Sequence, residues 1–216
     1  MSGSQQSRRL PPRLFALSPG DLAPKRFAAW LKAVDRCVEA GLRGILLREP
    51  QLSDGPRLYL ALKLAKAFKP RGGFLAMHDA AHLAAAAGVD AVHLGFRSLP
   101  LADVRRWSPA GLTLGLSTHS GDTLDAHEPD YTFYGPVFET PSKLGLKDPV
   151  GQEDLRQRCQ QSSAPIWALG GIVPANAADV LACGVEGLAV RGAIWQAKRP
   201  WKVIPKFADA MGGNLD

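Results

Sequence analysis

Between Phe133 and Gly151 the chain reads FYGPVFETPSKLGLKDPVG. An apolar, strand-like run breaks at Gly135-Pro136 and gives way to a polar loop carrying Thr140, Ser142 and Lys143. Two hydroxyls and an ammonium on one loop suit an anion, because all three donate hydrogen bonds and the ammonium adds charge. Two further stretches offer the same chemistry from the backbone. ALGGIVPAN sets Gly170 and Gly171 after an apolar run, with a helix start expected near Pro174, and AVRGAIW repeats the arrangement with Arg191 and Gly192. Glycine lets backbone N–H groups approach an oxyanion, and a helix amino end favours negative charge. Either glycine set alone could equally serve a tight turn. The two together, with Lys143, predict a phosphate site.

Proton chemistry points to His119, which follows Ser117 and Thr118 at the end of a strand-like run. An imidazole there titrates near neutral pH and can carry a proton, or it can be a structural histidine satisfied by backbone. His93 lies inside the run AVHLG and is expected in the core, whereas His82 and His127 fall on helical segments and are expected at the surface. His78-Asp79 ends another run; Asp79 could bind a metal or orient a ligand. Arg48 with Glu49 could be an ion pair or an anion contact.

These residues need elements to position them. Short apolar runs recur every 20–30 residues or so: RLFALS (13–18), GILLRE (44–49), FLAMHD (74–79), AVHLG (91–95), LTLGLST (112–118), YTFYGPV (131–137), PIWALGG (165–171) and GLAVRGA (187–193). Near-continuous apolarity is what strands covered on both faces show. Helical periodicity fills the gaps. Phe27, Trp30, Leu31, Val34 and Val38 form one stripe ahead of a capping Gly41, Leu58, Leu62 and Ala65 form another, and NAADVLACG ends in Gly184. Eight strands alternating with seven or eight helices predict a single-domain α/β fold, the (β/α)8 TIM barrel, over residues 13–210, with residues 1–12 as a flexible tail. An open doubly wound sheet is the rival, but no G-x-G-x-x-G turn follows the first strand. Barrel chemistry sits at the carboxyl ends of the strands, where Arg48-Glu49, His78-Asp79, Ser117 to His119, the loop with Thr140, Gly170-Gly171 and Arg191-Gly192 gather.

A chain of 216 residues can bury a full core without staples. The net charge of +6 suits anionic ligands but is spread along the chain, and no basic motif with interleaved aromatics points to nucleic acid. Cys37, Cys159 and Cys183 are widely spaced and make no C-x-x-C pair, which predicts reduced thiols in a cytoplasmic protein. The first residues lack the apolar core of a signal peptide, and no stretch reaches the roughly 18 apolar residues that span a membrane.

The stretches LREP, HDAAHLAAAAGVDAVHLG, GLSTHS, YGPVFETPSKLG and IWALGGIVPANAADVLACGVEGLAVRGAI resemble the thiamine phosphate synthase and thiazole tautomerase family across residues 13–197. The resemblance implies that Thr140, Ser142 and Lys143 face a thiazole phosphate. It also implies one of two reactions. The synthase joins hydroxymethylpyrimidine diphosphate to thiazole phosphate with magnesium and releases pyrophosphate. The tautomerase moves a proton on thiazole carboxylate phosphate and needs no cofactor.

Against the synthase pattern, Leu46 and Pro50 replace the glutamine and lysine around Arg48, His78 replaces the asparagine before Asp79, and Ser98 falls where a second metal carboxylate stands. Gly192 replaces a serine on the phosphate side. HLGFRS is closer to the tautomerase branch. Magnesium needs oxygen ligands with one or two carboxylates, so these losses predict a tautomerase-like enzyme. In it His119 and Lys143 are catalytic. Arg48, His78, Asp79, Ser117, Thr140, Ser142, Gly170, Gly171, Arg191 and Gly192 bind substrate. Asp79 holds magnesium if the synthase branch applies instead. A synthase and a non-catalytic phosphate binder are the alternatives. The expected partner is a small phosphorylated thiazole, with neither nucleic acid nor membrane, and a homodimer is admitted.

Overall fold

The computed structural model describes residues 8–122, 129–140 and 148–216. The strands are β1 (Leu14–Leu17), β2 (Gly44–Leu47), β3 (Phe74–His78), β4 (Ala91–Leu94), β5 (Thr113–Thr118), β6 (Tyr131–Tyr134), β7 (Ile166–Leu169) and β8 (Gly187–Val190). All pair in parallel, in chain order, and β8 closes on β1 through Leu14–Leu188 and Ala16–Val190. The expected barrel is therefore the fold, and its strands end at or up to three residues before the ends of the apolar runs. The helices are α1 (Phe27–Glu39), α2 (Asp54–Phe68), α3 (Ala84–Ala87), α4 (Leu101–Trp107), α5 (Gly151–Gln161), α6 (Ala177–Leu181), α7 (Gly192–Trp195) and α8 (Ile204–Ala210).

Each strand alternates between two cores. Phe15, Phe74, Tyr131, Phe133 and Trp167 point into the barrel, and Phe15 meets Phe74 and Phe133 edge-on at 5.7 Å each. Leu14, Ile45, Leu75 and Met77 point outward and join the apolar faces of the helices. Most strand positions are thus buried on both faces, which is why the runs read as nearly continuously apolar. The interior has little room. A methyl on Gly115 would lie 2.5 Å from His93 Nδ1, so glycine is what lets the β4 and β6 rings meet across β5.

α1 ends as its sequence predicts: Gly41 has φ +109°, and the N–H of Leu42 returns to the Cys37 carbonyl at 2.9 Å. α2 turns a different face inward. It buries Leu60, Ala61, Leu64 and Phe68, while Leu62, expected in the stripe, is 45% exposed. The expected tail also needs correction at its inner end. Residues 8–12 lie across the base of the barrel: Trp167 Nε1 donates to the Pro12 carbonyl at 2.9 Å, Thr113 Oγ1 to the Arg9 carbonyl at 2.8 Å, and Arg9 reaches the Gly73 carbonyl at 3.1 Å. Among the described residues no helix is long and apolar enough to cross a membrane.

Candidate active site

The carboxyl ends of β7 and β8 stand at one level, because Leu169 pairs with Ala189. Gly170-Gly171 and Arg191-Gly192 therefore leave adjacent strands side by side. Gly170 (φ +102°) and Gly171 (φ +67°) occupy the left-handed region. They also receive the loop after β6. Phe138 N–H donates to the Gly170 carbonyl at 3.2 Å, and a methyl on Gly171 would lie 2.5 Å from Phe138 Cβ and 2.8 Å from the Glu139 oxygen. The glycines thus make the tight turn, one of the two roles their sequence allowed, and they also let the loop after β6 pack against the strand. Ser142 and Lys143 lie outside the described residues. Asn176 fixes the turn from below, its Nδ2 donating to the Gly171 carbonyl at 3.1 Å and its Oδ1 accepting the Val173 N–H at 2.8 Å. The helices that follow are short, with five residues in α6 and four in α7. Their dipoles are correspondingly small, so any anion-holding capacity of these turns lies with their backbone N–H groups.

His119 is 9% exposed at the end of β5. Asp122, which sequence reasoning missed, accepts the His119 N–H at 2.7 Å and approaches Nδ1 at 3.4 Å with the same oxygen. A carboxylate near one ring nitrogen is a common neighbour of a histidine that moves protons. The exposed Phe96 ring stands edge-on to His119 at 6.5 Å. Ser117, one turn of the pleat below, accepts or donates at 2.9 Å to His93 Nε2 inside the barrel. His93 is the core histidine its sequence predicts; Nδ1 meets the Tyr131 hydroxyl at 3.1 Å.

At the end of β3, His78 Nδ1 is 3.2 Å from one Asp79 oxygen, and Ser98 Oγ hydrogen-bonds to the other. Ser98 in turn accepts the Gly95 N–H at 2.7 Å. Asp79 and Ala80 adopt positive φ, 54° and 49°, a strained backbone for residues with a Cβ. Burial pushes the Asp79 pKa up, but the hydrogen bonds from His78 and Ser98, with the charges of His78 and Arg57, outweigh it, so the group ends below the ordinary carboxylate range. Both Asp79 oxygens are therefore engaged, Ser98 is a partner and not a second carboxylate, and among the described residues no three His, Cys, Asp or Glu gather as metal ligands. This donor set does not fit a resident magnesium ion.

At the end of β2, Arg48 and Glu49 do not pair. Glu49 is buried and accepts the N–H groups of Gly20 and Leu22 at 2.8 Å each and the Gln51 amide at 2.9 Å, which ties down the loop after β1. Arg48, partly exposed, is left facing the mouth. Leu46 is buried in the interior cluster, and Pro50 is exposed to solvent. The structure thus places Arg48, His78, Asp79, Ser117, His119, Thr140, Gly170, Gly171, Arg191 and Gly192 around one end of the barrel, as the strand-end reading requires.

A family model described as thiamine monophosphate synthase matches residues 21–194. A thiamine-phosphate synthase of Albidiferax ferrireducens is 36% identical over 170 residues, covering 77% of this chain and 78% of the relative. One from Laribacter hongkongensis is 34% identical over 172 residues, covering 79% and 82%. The structure of a thiamine phosphate pyrophosphorylase from Pyrococcus furiosus superposes with a TM-score of 0.82 at 25% identity, over 94% of this chain and 97% of that one. These relatives carry the synthase name, which favours the coupling branch over the isomerase branch expected from the altered residues. With the match running from the loop after β1 into α7, and with the glycine turns of β7 and β8 inside it, the chain belongs to the thiamine monophosphate synthase family.

Proposed function

We propose that the chain is an enzyme of thiamine biosynthesis that binds a phosphorylated thiazole and joins it to a pyrimidine diphosphate. The observation that carries this reading is the presence of two separate anion-seeking groups at one barrel mouth. The turns after β7 and β8 offer backbone N–H groups to a phosphate ester. Across β1, the Arg48 guanidinium has no ion pair with any Asp or Glu among the described residues, which leaves its charge for a second anion. A transfer with a diphosphate leaving group needs cations where the leaving charge develops. The relatives' names support the same reaction. In this chain no step is routed through magnesium, because the Asp79 oxygens are already engaged by His78 and Ser98.

A second reading rests on His119 and Asp122. A buried imidazole with a carboxylate 3.4 Å from Nδ1 at the rim of the same mouth suits proton transfer on thiazole carboxylate phosphate, the tautomerase reaction. One experiment separates the two. The protein is incubated with hydroxymethylpyrimidine diphosphate and thiazole phosphate, with and without magnesium, and separately with thiazole carboxylate phosphate in deuterated water. Thiamine phosphate with pyrophosphate release establishes the transferase. Deuterium exchange without coupling establishes the isomerase. Binding with neither product leaves a phosphate-binding barrel and refutes both.

A further inference from the structure

A chain of three polar side chains runs through the barrel interior and reaches the mouth. The register sets His93, Gly115 and Tyr131 at one level, since Gly115 pairs with His93 on β4 and with Tyr131 on β6. Glycine leaves them room to meet: a methyl on Gly115 would lie 2.2 Å from Tyr131 Cζ and 2.5 Å from His93 Nδ1. The Tyr131 hydroxyl stands 3.1 Å from His93 Nδ1, and Ser117 Oγ stands 2.9 Å from His93 Nε2. Ser117 follows Gly115 by two residues, so it shares the inward face one step nearer the mouth. Tyr131 and His93 are buried, and Ser117 is partly exposed.

The supply of hydrogens decides which way this chain points. Burial first, and the His78 charge second, hold the His93 pKa well below the ordinary histidine range, so the ring is neutral, with one N–H donor and one acceptor nitrogen. With the hydrogen on Nδ1, the ring would donate to the Tyr131 oxygen. The Tyr131 hydrogen would then have no acceptor among the described residues, at a side chain closed to solvent. With the hydrogen on Nε2, Tyr131 donates to Nδ1 and Nε2 donates to Ser117 Oγ. The one hydrogen left over is then that of Ser117, which solvent or a ligand can reach. An orphaned buried donor biases such a choice by about 10- to 100-fold.

We propose that Tyr131 and His93 are positioning residues: together they hold the Nε2–H tautomer of His93, which turns the Ser117 hydroxyl hydrogen outward as a donor at the barrel mouth. Ser117 then favours a ligand atom that accepts a hydrogen bond over one that donates. That Ser117 meets the substrate rests on the transferase reading above; the tautomer rests on the placement of the three side chains.

Nitrogen-15 NMR of the histidine rings in the full chain reads which nitrogen carries the hydrogen, with His93 identified by its loss in His93→Gln. Wild type is expected to show Nε2–H, a result that needs no folded Tyr131 variant. Tyr131→Phe removes one oxygen and keeps the ring. Either tautomer then leaves a buried nitrogen unpaired, so the spectrum should shift toward Nδ1–H. In the coupling assay Tyr131→Phe should lower kcat/KM about 2- to 10-fold, the range of one neutral hydrogen bond, although it lies one layer below Ser117. Added to Ser117→Ala, it should cost nothing further, because the hydroxyl that it orients is gone; a Tyr131 that only supports the fold would cost the same in both backgrounds. Wild type in the Nδ1–H form, or equal costs of Tyr131→Phe with and without the Ser117 hydroxyl, overturns the relay. An Nε2–H ring that responds to Tyr131→Phe, in a protein that couples neither substrate, would uphold the relay and sink the proposed function.

Discussion

His93 links the stability of the barrel to pH. Its ring is buried between the Tyr131 hydroxyl at 3.1 Å and Ser117 Oγ at 2.9 Å, with Phe133 at 4.0 Å between centroids. Burial first, and the neighbouring His78 charge second, hold its pKa well below the ordinary histidine range. The folded chain thus keeps this ring neutral, while the unfolded chain protonates it below about pH 6.5. The unfolded state then binds more protons, so stability is intact above that pH and falls as pH falls. One proton is worth about 1.4 kcal/mol per pH unit, so going from pH 6.5 to pH 5 should remove up to about 2 kcal/mol. In a chain of this size that is about 4–8 °C in Tm. His93→Gln keeps an amide to face Tyr131 and Ser117 but cannot titrate. Thermal melts of wild type and His93→Gln from pH 8 to pH 5 measure the difference. The variant should start lower, because it packs less well, and lose less below pH 6.5, so that the two curves converge. Parallel curves would show that His93 is not held neutral by the fold, and the account of the Ser117 contact would go with it.

Gly171→Ala adds a methyl 2.5 Å from Phe138 Cβ at a backbone with φ +67°, so the β7 turn must shift; we expect thiazole phosphate affinity to fall at least about tenfold while the far-ultraviolet circular dichroism is kept. Full affinity would remove this turn from the phosphate site. His119→Ala should cut deuterium exchange into thiazole carboxylate phosphate by about 10²–10⁴-fold with little change in its binding, and His119→Asn should do the same; near-wild-type exchange in either variant takes His119 out of proton transfer. Magnesium should bind the free protein weakly, because both Asp79 oxygens are engaged. Calorimetry giving micromolar affinity, lost in Asp79→Ala, would restore a metal site there.

The sequence by itself determined the barrel and the end of it that carries chemistry. Strands covered on both faces must be apolar throughout, so eight such runs separated by helical stretches leave few other folds. Gly41, His93 and the glycine turns after β7 and β8 were legible for the same local reason, since a positive φ or a histidine inside a strand is set by its immediate neighbours. α2 was not. Leucines at 58, 60, 62 and 64, with alanines at 61 and 65, surround that helix with apolar groups, so periodicity names no face, and packing of Leu60, Ala61, Leu64 and Phe68 against the barrel chose one. Nor could order along the chain show that Ser98 ties Asp79, that Glu49 serves the loop after β1 while Arg48 has no carboxylate partner among the described residues, or that residues 8–12 close the base. Each of these joins segments that meet only when β8 closes on β1 or when adjacent strands fix their register. The approach of Arg48 and Arg191, both beside Gly20, is the extreme case. The two are 143 positions apart and meet there only because a closed, parallel barrel brings its first, second and last strands together.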